Sequence, residues 1–299
     1  MGIKSLNFFI EKAKEIKPKK CAVAAAADDT VLKALYEATK LNIIEPILIG
    51  NKEKILKLCE KENITFSESQ IINEPDDIIA AQKAVSFVRE GEANFLMKGL
   101  IHTSHFLKAV LDKDKGIRKG DLLSHIVFIE SPYYHKIFAL ADAGVNIKPT
   151  FEEKLAILNN SLTVFHKLGI ENPKVAVVGA VETVNQKMED TIHAAILTQM
   201  NRRKQIKGCI IDGPLAMDNA ISKEAAHHKG IISDVAGDAD FILCPDIQSA
   251  NIMYKTLIFL GNATSAALVI GAKSPIVLTS RADTEKSKLM SIALAALIS

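Results

Sequence analysis

Two carboxylates follow buried strand patterns at points where helices are about to begin. Asp212 comes directly after the apolar run 208–211, and Asp246 follows the run 241–244 after one proline. In a parallel sheet, the carboxyl ends of the strands and the N-termini of the helices open into one crevice, where open α/β folds bind ligands. The sequence therefore predicts that Asp212 and Asp246 belong to a ligand-binding site.

A cationic candidate follows the strand-like run 95–97. Lys98 would emerge at the end of this strand beside Gly99, and Thr103 or Ser104 would cap the helix that comes next. Closely approaching backbone, a hydroxyl and a helix N-terminus can hold an anion, with Lys98 supplying the charge. The segment is not the Lys-Ser/Thr phosphate-loop signature, so an ordinary strand-to-helix turn is the alternative.

Two further polar residues, Asp142 and Asn146, end the apolar run 138–141. Both side chains can hydrogen-bond a ligand, but Asp and Asn are also common in loops because they turn and cap the backbone. The local pattern is therefore equally compatible with a binding site and with a turn.

Two arginines occupy positions from which they could contact an anion. Arg118 lies in a loop bounded by Gly116 and Gly120, and Arg281 directly follows the strand-like run 275–280. A guanidinium at the end of a strand is well placed to bind two phosphate oxygens at once. Most loop arginines like Arg118 are simply solvated, so Arg281 is the stronger candidate.

The composition favours a globular protein that acts on small molecules. The 299 residues are 48% hydrophobic and 24% charged, with a net charge of +2. The basic residues form no long block, so neither nucleic acid nor an anionic membrane is an expected partner. There is no uninterrupted apolar run of about 18 residues and no secretory signal pattern near the first residues, so we expect a cytoplasmic protein.

The cysteines and histidines predict no metal site. The four cysteines are far apart and mostly within apolar runs, which is typical of buried, reduced thiols. His102 and His105 are three residues apart, but no third ligand has suitable spacing. We therefore expect neither a metal ion nor a catalytic cysteine.

Short strand patterns alternate with longer helical patterns along the chain, as in βα units around mostly parallel sheets. The predicted strands are 21–27, 45–49, 95–97, 126–129, 175–178, 209–211, 241–244 and 275–278. The predicted helices include 28–41, 76–90, 151–168, 189–199, 222–228 and 249–260. A proline at position 149 suggests a domain boundary at 147–150 and two lobes with a cleft between them.

These motifs together resemble the phosphate acyltransferases that interconvert acyl-CoA and acyl phosphate, the phosphate acetyl/butyryltransferase family. The resemblance covers nearly the whole chain, and the matching motifs are 97–103, 116–118, 122–125, 142–146, 149–150, 212–215 with Asp218 and Ala220, 235–240, 245–246 with Asn251 and 254–255, and 271–283. Each motif is weakly specific alone, whereas their order and spacing together are strongly specific. The butyryl-transferring members are the most similar.

The resemblance implies a fold, an assembly and a reaction. The fold would be two α/β/α domains related to the isocitrate and isopropylmalate dehydrogenases, with residues 1–147 and 278–299 in the first domain and 148–277 in the second. The protein would be a homo-oligomer, a dimer or larger, and need no cofactor, since CoA is a substrate. Butyryl-CoA and phosphate would form butyryl phosphate and CoA directly in a ternary complex, with the site in the interdomain cleft.

The resemblance also implies roles for individual residues. Ser280 and Arg281 match a Ser-Arg pair in which the arginine contacts phosphate and the serine stabilises the transition state, and Arg118 matches a second functional arginine. Acetyl-transferring relatives carry a base aspartate seven residues after that serine, where this chain has Ser287, so Asp283 is the predicted substitute. The predicted substrate-binding residues are Lys98, Thr103, Arg118, Asp142, Asn146, Asp212, Asp246 and Asn251.

Three alternatives remain open at the level of sequence. The first is the same reaction on acetyl-CoA, because a methylene in an acyl pocket is worth only about 1 to 3 kcal/mol. The second is a metal-dependent NAD(P) dehydrogenase of the same fold, although neither a Gly-x-Gly-x-x-Gly fingerprint nor a tight acidic cluster is present. The third is an anion-binding module without catalytic activity.

Overall fold

The computed structural model describes residues 3–120, 122–279 and 283–299. Its contacts divide the chain into two compact units. The central unit consists of Met1–Leu6 and Leu122–Ser265, and the N-terminal unit consists of Asn7–Asp121 and Ala266–Ser299. These divisions differ from the predicted boundaries at 147/148 and 277/278.

The strands of the described residues bear out the α/β class. They are β1 Lys19–Ala24, β2 Ile44–Gly50, β3 Ile71–Asn73, β4 Phe95–Lys98, β5 Ser124–Glu130, β6 Phe138–Ala141, β7 Lys174–Val178, β8 Ile210–Leu215, β9 Phe241–Leu243, β10 Thr264–Ile270 and β11 Ile276–Val277. Every predicted strand has a counterpart. The strands β3, β6 and β10 were not predicted.

The helices of the described residues connect these strands. They are α1 Asn7–Lys14, α2 Asp29–Lys40, α3 Lys52–Glu62, α4 Asp77–Arg89, α5 Thr103–Val110, α6 Phe151–Lys167, α7 Glu189–Arg202, α8 Met217–Ile221, α9 Lys223–His228, α10 Ile247–Phe259 and α11 Glu285–Ile298, with a 3-10 turn at Glu68–Gln70. The predicted N-cap of α2 is confirmed, because the Asp28 carboxylate accepts a hydrogen bond from the Val31 amide. None of these helices is long and apolar enough to span a bilayer.

In the N-terminal unit the strand order is β3-β2-β1-β4-β11-β10. The pairs from β3 to β11 are parallel, whereas β10 and β11 are antiparallel. Ala24 is paired with Lys98, and Met97 with Val277. The segments that follow β1, β4 and β11 therefore leave the sheet side by side.

In the central unit the strand order is β5-β6-β9-β7-β8. All pairs are parallel except β5 with β6. Because β6 pairs with β9, Ala141 lies beside Leu243, and the residues after both strands emerge together. This pairing also explains the position of the unit boundary, since β5 and β6 precede residue 147 but belong to the central sheet.

The four cysteines are buried and free, as predicted. Burial raises the pKa of Cys209 to about 11 and raises the pKa of Cys21 and Cys244 still further. Protonated thiols are poor nucleophiles, so these cysteines have no activated form near neutral pH.

Candidate active site

Lys98 is the last residue of β4 and is only 7% exposed. Its ammonium donates hydrogen bonds to the carbonyl oxygens of Gly99, at 3.1 Å, and Ile101, at 3.0 Å. A lysine ammonium has three donors, so at least two of them bind the turn between β4 and α5. The charge of Lys98 is thereby fixed at the carboxyl end of β4.

Gly99 is required by close backbone packing. A Cβ at this position would lie 2.3 Å from the Ala25 carbonyl oxygen. The amides of Gly99 and Leu100 donate to the carbonyl oxygens of Ala24 and Ala25, both at 2.8 Å. The turn after β4 is thus bonded directly to the turn after β1.

The capping role predicted for Thr103 or Ser104 is wrong. The helix α5 begins at Thr103, and the N-cap is His102, whose side chain makes no capping hydrogen bond. The helix therefore begins at the first of the two hydroxyl residues, so that Thr103 and Ser104 both lie inside its first turn. Thr103 is exposed in the first turn of the helix, where its contact with an anion remains a prediction.

Arg118 is exposed and its backbone bridges to Ala272, in the connection between β10 and β11. A second hydrogen bond joins the Lys273 amide to the Ile117 carbonyl oxygen at 2.9 Å. These bonds anchor Arg118 to the segment that leads into β11, whereas Lys98 lies beside the other end of that strand. The functional role of Arg118 remains a prediction.

The predicted catalytic residues Ser280 and Arg281 lie outside the described residues. Asp283, the predicted base, is half-buried just before α11. Its backbone carbonyl oxygen accepts a hydrogen bond from the Lys288 ammonium at 2.7 Å. Lys288 was not identified from the sequence.

Asp142 follows β6 and is 2% exposed. One carboxylate oxygen accepts hydrogen bonds from the amides of Gly144 and Val145, both at 2.8 Å. The other accepts from the His125 amide at 3.1 Å and the Asn146 side-chain amide at 2.5 Å. Four donors occupy the main acceptor positions of a carboxylate, so Asp142 organises its own loop.

Asp246 and Asn251 lie beside this loop. Asp246 caps α10 by accepting hydrogen bonds from the Ser249 amide and hydroxyl, both at 2.8 Å. Asn251 donates from its side chain to the Ala143 carbonyl oxygen at 2.9 Å. The pKa of Cys244 is raised mainly by burial, and the charges of Asp246 and Asp142 raise it further, so both carboxylates lie near this thiol. We call Asp142, Asn146, Asp246 and Asn251 the loop cluster.

Asp212 does not belong to the loop cluster. It lies within β8, not after it, because the strand continues through Pro214 to Leu215. A proline is tolerated there since β8 is an edge strand and needs no amide donor on its open side. The Asp212 carboxylate lies 4.0 Å from the Arg202 guanidinium, and two strands separate β8 from β6.

A pair of basic groups in the central unit, the buried Lys154 and the half-buried His193, was also missed. The Lys154 ammonium on α6 lies 3.2 Å from Nδ1 of His193 on α7. Burial lowers the pKa of both groups, and the Lys154 charge lowers the pKa of His193 further. Lys154 fits the apolar helical spacing of α6, so the sequence pattern gave no sign of a buried charge.

Within the described ranges, no three His, Cys, Asp or Glu side chains converge as metal ligands would. The expectation that the reaction needs no metal or organic cofactor remains a prediction.

Comparison with known proteins identifies the class. The family model described as "Phosphate acetyl/butaryl transferase" matches residues 78–296. A phosphate butyryltransferase of Clostridium acetobutylicum is 46% identical over 99% of this chain and 98% of its own length. A phosphate acetyltransferase of Thermotoga maritima is 47% identical over 96% of this chain and 99% of its own length.

A solved structure agrees with these sequence relatives. The crystal structure of a branched-chain phosphotransacylase from Enterococcus faecalis V583 superposes with a TM-score of 0.81 and 31% identity. The match covers 94% of this chain and 99% of that chain. The protein belongs to the phosphate acetyl/butyryl transferase family, and by that membership it is an acyltransferase.

Proposed function

We propose that this protein transfers a butyryl group between CoA and inorganic phosphate. The observation that carries the proposal is the 46% identity, over nearly the full length of both chains, to a phosphate butyryltransferase. The burial and raised pKa of the cysteine thiols favour direct transfer over an acyl-cysteine intermediate. We infer in addition a fold relationship to the isocitrate and isopropylmalate dehydrogenases, as the alternating βα units of both halves suggest.

The reaction sets the requirements for the site. In the direction of acyl phosphate formation, a phosphate oxygen attacks the thioester carbonyl, an oxyanion develops, and the CoA sulfur leaves and takes up a proton. Cations and N–H donors must stabilise the phosphate and the oxyanion, and in the reverse direction a base must take the proton from the thiol. Holding both reactants together is worth about 7 to 11 kcal/mol when the geometry is tight.

The chain supplies candidates for each role. Arg281 would bind phosphate, Ser280 would donate to the oxyanion, and Asp283 would take the thiol proton. Lys98 supports the phosphate role because its charge is fixed at the end of β4, next to the strand after which Ser280 and Arg281 follow. Asp142 would act indirectly, by shaping the loop that contains Asn146.

Transfer of an acetyl group remains the alternative, because the phosphate acetyltransferase of Thermotoga maritima is as similar to this chain as the phosphate butyryltransferase is. Phosphate-dependent thiol release should be measured on acetyl-, propionyl- and butyryl-CoA. We expect kcat/KM to be highest for butyryl-CoA. A higher value for acetyl-CoA would transfer the assignment to the acetyl substrate, and a folded protein with no activity on any of them would reject acyl transfer.

The role of Arg281 can be tested by substitution. Arg281→Ala should raise the KM for phosphate by about 10-fold or more, since a charge-assisted hydrogen bond to phosphate is worth about 1.5 to 3 kcal/mol. Arg202→Ala is the matched control, because Arg202 is 68% exposed and pairs only loosely with Asp212. An unchanged phosphate KM in the Arg281 variant would remove this residue from the site.

We also infer that the protein forms a homo-oligomer through α10. This helix buries Ala250 and Tyr254 but leaves Ile252, Phe259 and Leu260 largely exposed. Large apolar side chains exposed to this degree are typical of a surface covered by a partner. Ile252→Asp should shift the mass measured by light scattering toward the monomer, and a wild-type monomer would refute the inference.

We propose in addition that the protein acts in the cytoplasm and that it needs no metal ion or organic cofactor.

A further inference from the structure

Lys288 is a buried lysine in a mostly apolar helix. It is the fourth residue of α11 and is 2% exposed, whereas residues 289–298 that follow are mostly aliphatic. Burying an ammonium costs several kcal/mol unless hydrogen bonds and opposite charges compensate. An apolar side chain of the same length would fill the space without that cost. The groups that bind the ammonium therefore indicate why a lysine occupies this position.

Within the described part of the chain, partners of Lys288 come from two different segments. Its ammonium donates to the Asp283 carbonyl oxygen at 2.7 Å, five residues earlier in the chain. The carboxylates of Asp28, Asp29 and Asp283 favour its charged form and oppose the effect of burial, which lowers the pKa of Lys288. Asp28 and Asp29 lie at the beginning of α2, where the Asp28 carboxylate caps the helix.

These segments follow two strands that flank β4. Asp28 comes after β1, and Asp283 comes after β11, with β4 between the two strands. The turn after β4 is bonded to the turn after β1 through the amides of Gly99 and Leu100. Lys288 adds the segment after β11 to this connected set, through its hydrogen bond to residue 283 and its attraction to the carboxylates at α2.

We propose that Lys288 is a positioning residue for acyl transfer, which holds residues 283–288 against the beginning of α2. Ser280 and Arg281 precede these residues in the sequence, so the inference rests on the proposed function. Lys288 does not act as the general base itself, because a side chain that is 2% exposed has no room for a CoA thiol beside its nitrogen. Its effect reaches the substrates through the residues next to Asp283.

Three variants test the proposal. Lys288→Met keeps the length of the side chain but removes its charge and hydrogen bond, and Lys288→Arg restores a cationic donor. The matched control is Lys136→Met, which also removes a buried ammonium that binds carboxylates, those of Asp238 and Asp240. Lys136 lies just before β6, whereas the loop cluster follows that strand, so its loss should affect stability but not the reaction.

Two measurements are needed on folded samples of each variant. The first is amide hydrogen exchange of residues 283–288, where the Ser287 and Lys288 amides donate to Thr284. The second is a comparison of kcat with the KM for phosphate and for acyl-CoA. We expect Lys288→Met to speed exchange in this segment and to lower kcat/KM for phosphate by about 10- to 100-fold, since a misplacement of 1 Å can cost 100-fold.

The outcomes separate the possibilities. Partial recovery in Lys288→Arg, with wild-type kinetics in Lys136→Met, would support a positioning role. Unchanged exchange in Lys288→Met would overturn the structural part, and faster exchange with unchanged kinetics would overturn the link to the reaction. If the wild type itself shows no phosphate-dependent turnover, the proposed function fails, while the exchange data still decide whether Lys288 holds this segment.

Discussion

Replacing Asp142 by asparagine should destabilise the central unit. The carboxylate accepts four hydrogen bonds, two on each oxygen. An asparagine amide has one oxygen and one NH₂ group, so whichever way it is turned, two donors lose their acceptor and face another donor. At about 1 to 1.5 kcal/mol for each donor that loses its acceptor in this partly buried loop, the free energy of unfolding should fall by about 2 to 3 kcal/mol.

The measurement is urea unfolding followed by circular dichroism, with Asp212→Asn as the matched control. Asp212 undergoes the same chemical change, but among the described residues its only charged neighbour within 4.0 Å is the exposed Arg202 guanidinium. An exposed pair of this kind is worth about 0 to 1 kcal/mol, so the control should unfold close to the wild type. Equal unfolding midpoints for the Asp142 variant and the control would refute the assignment of Asp142 as the organiser of its loop.

Two further substitutions test the packing and the electrostatics. Gly99→Ala should destabilise the N-terminal unit by about 1 to 3 kcal/mol, because its Cβ would meet the Ala25 carbonyl oxygen at 2.3 Å. At Gly120 the nearest atom of the described residues to an added Cβ is the Gly271 carbonyl oxygen, at 3.9 Å, so Gly120→Ala is the control. Equal melting temperatures for the two variants would contradict this account. Burial and the Lys154 charge lower the pKa of His193, so the unfolded chain takes up this proton first and stability falls as the pH drops below about 6.5. His193→Gln should lose less stability than the wild type between about pH 7 and pH 5, and an identical pH dependence would exclude His193 as the cause.

The sequence predicted the positions of the helices and strands better than it predicted which strands pair with each other. The helix predicted at 76–90 is observed as Asp77–Arg89, because its apolar spacing and its Asp76 cap are local signals. The strand β6 was missed because four apolar residues are compatible with several structures, and only its pairing with β9 defines it. The unit boundary differed for the same reason, since no local pattern shows which distant strand a segment joins.

The site residues show a similar division. Asp142, Asn146, Asp246 and Asn251 were identified from strand ends and motifs, and the structure brings them together. Asp212 was predicted at a strand end because the apolar run stops at Ile211, but β8 continues through Pro214, which an edge strand accommodates. Lys288 could not be identified because its partners are a backbone carbonyl and carboxylates about 260 residues away in sequence.

Buried charges have the same structural use in both units. Asp142 is a buried anion whose partners are the N–H groups of the loop after β6, and Lys288 is a buried cation bonded to a carbonyl of the segment after β11. A buried charge is costly unless nearby polar groups satisfy it, so its presence forces those backbone groups to stay in place. Such a charge therefore fixes a strand-end loop more firmly than an apolar contact would, because moving the loop exposes an unpaired charge to a low dielectric. A polar residue after a buried strand can thus serve the reaction by holding its loop in place, without touching a substrate. Its hydrogen-bond partners distinguish this positioning role from a substrate-binding role.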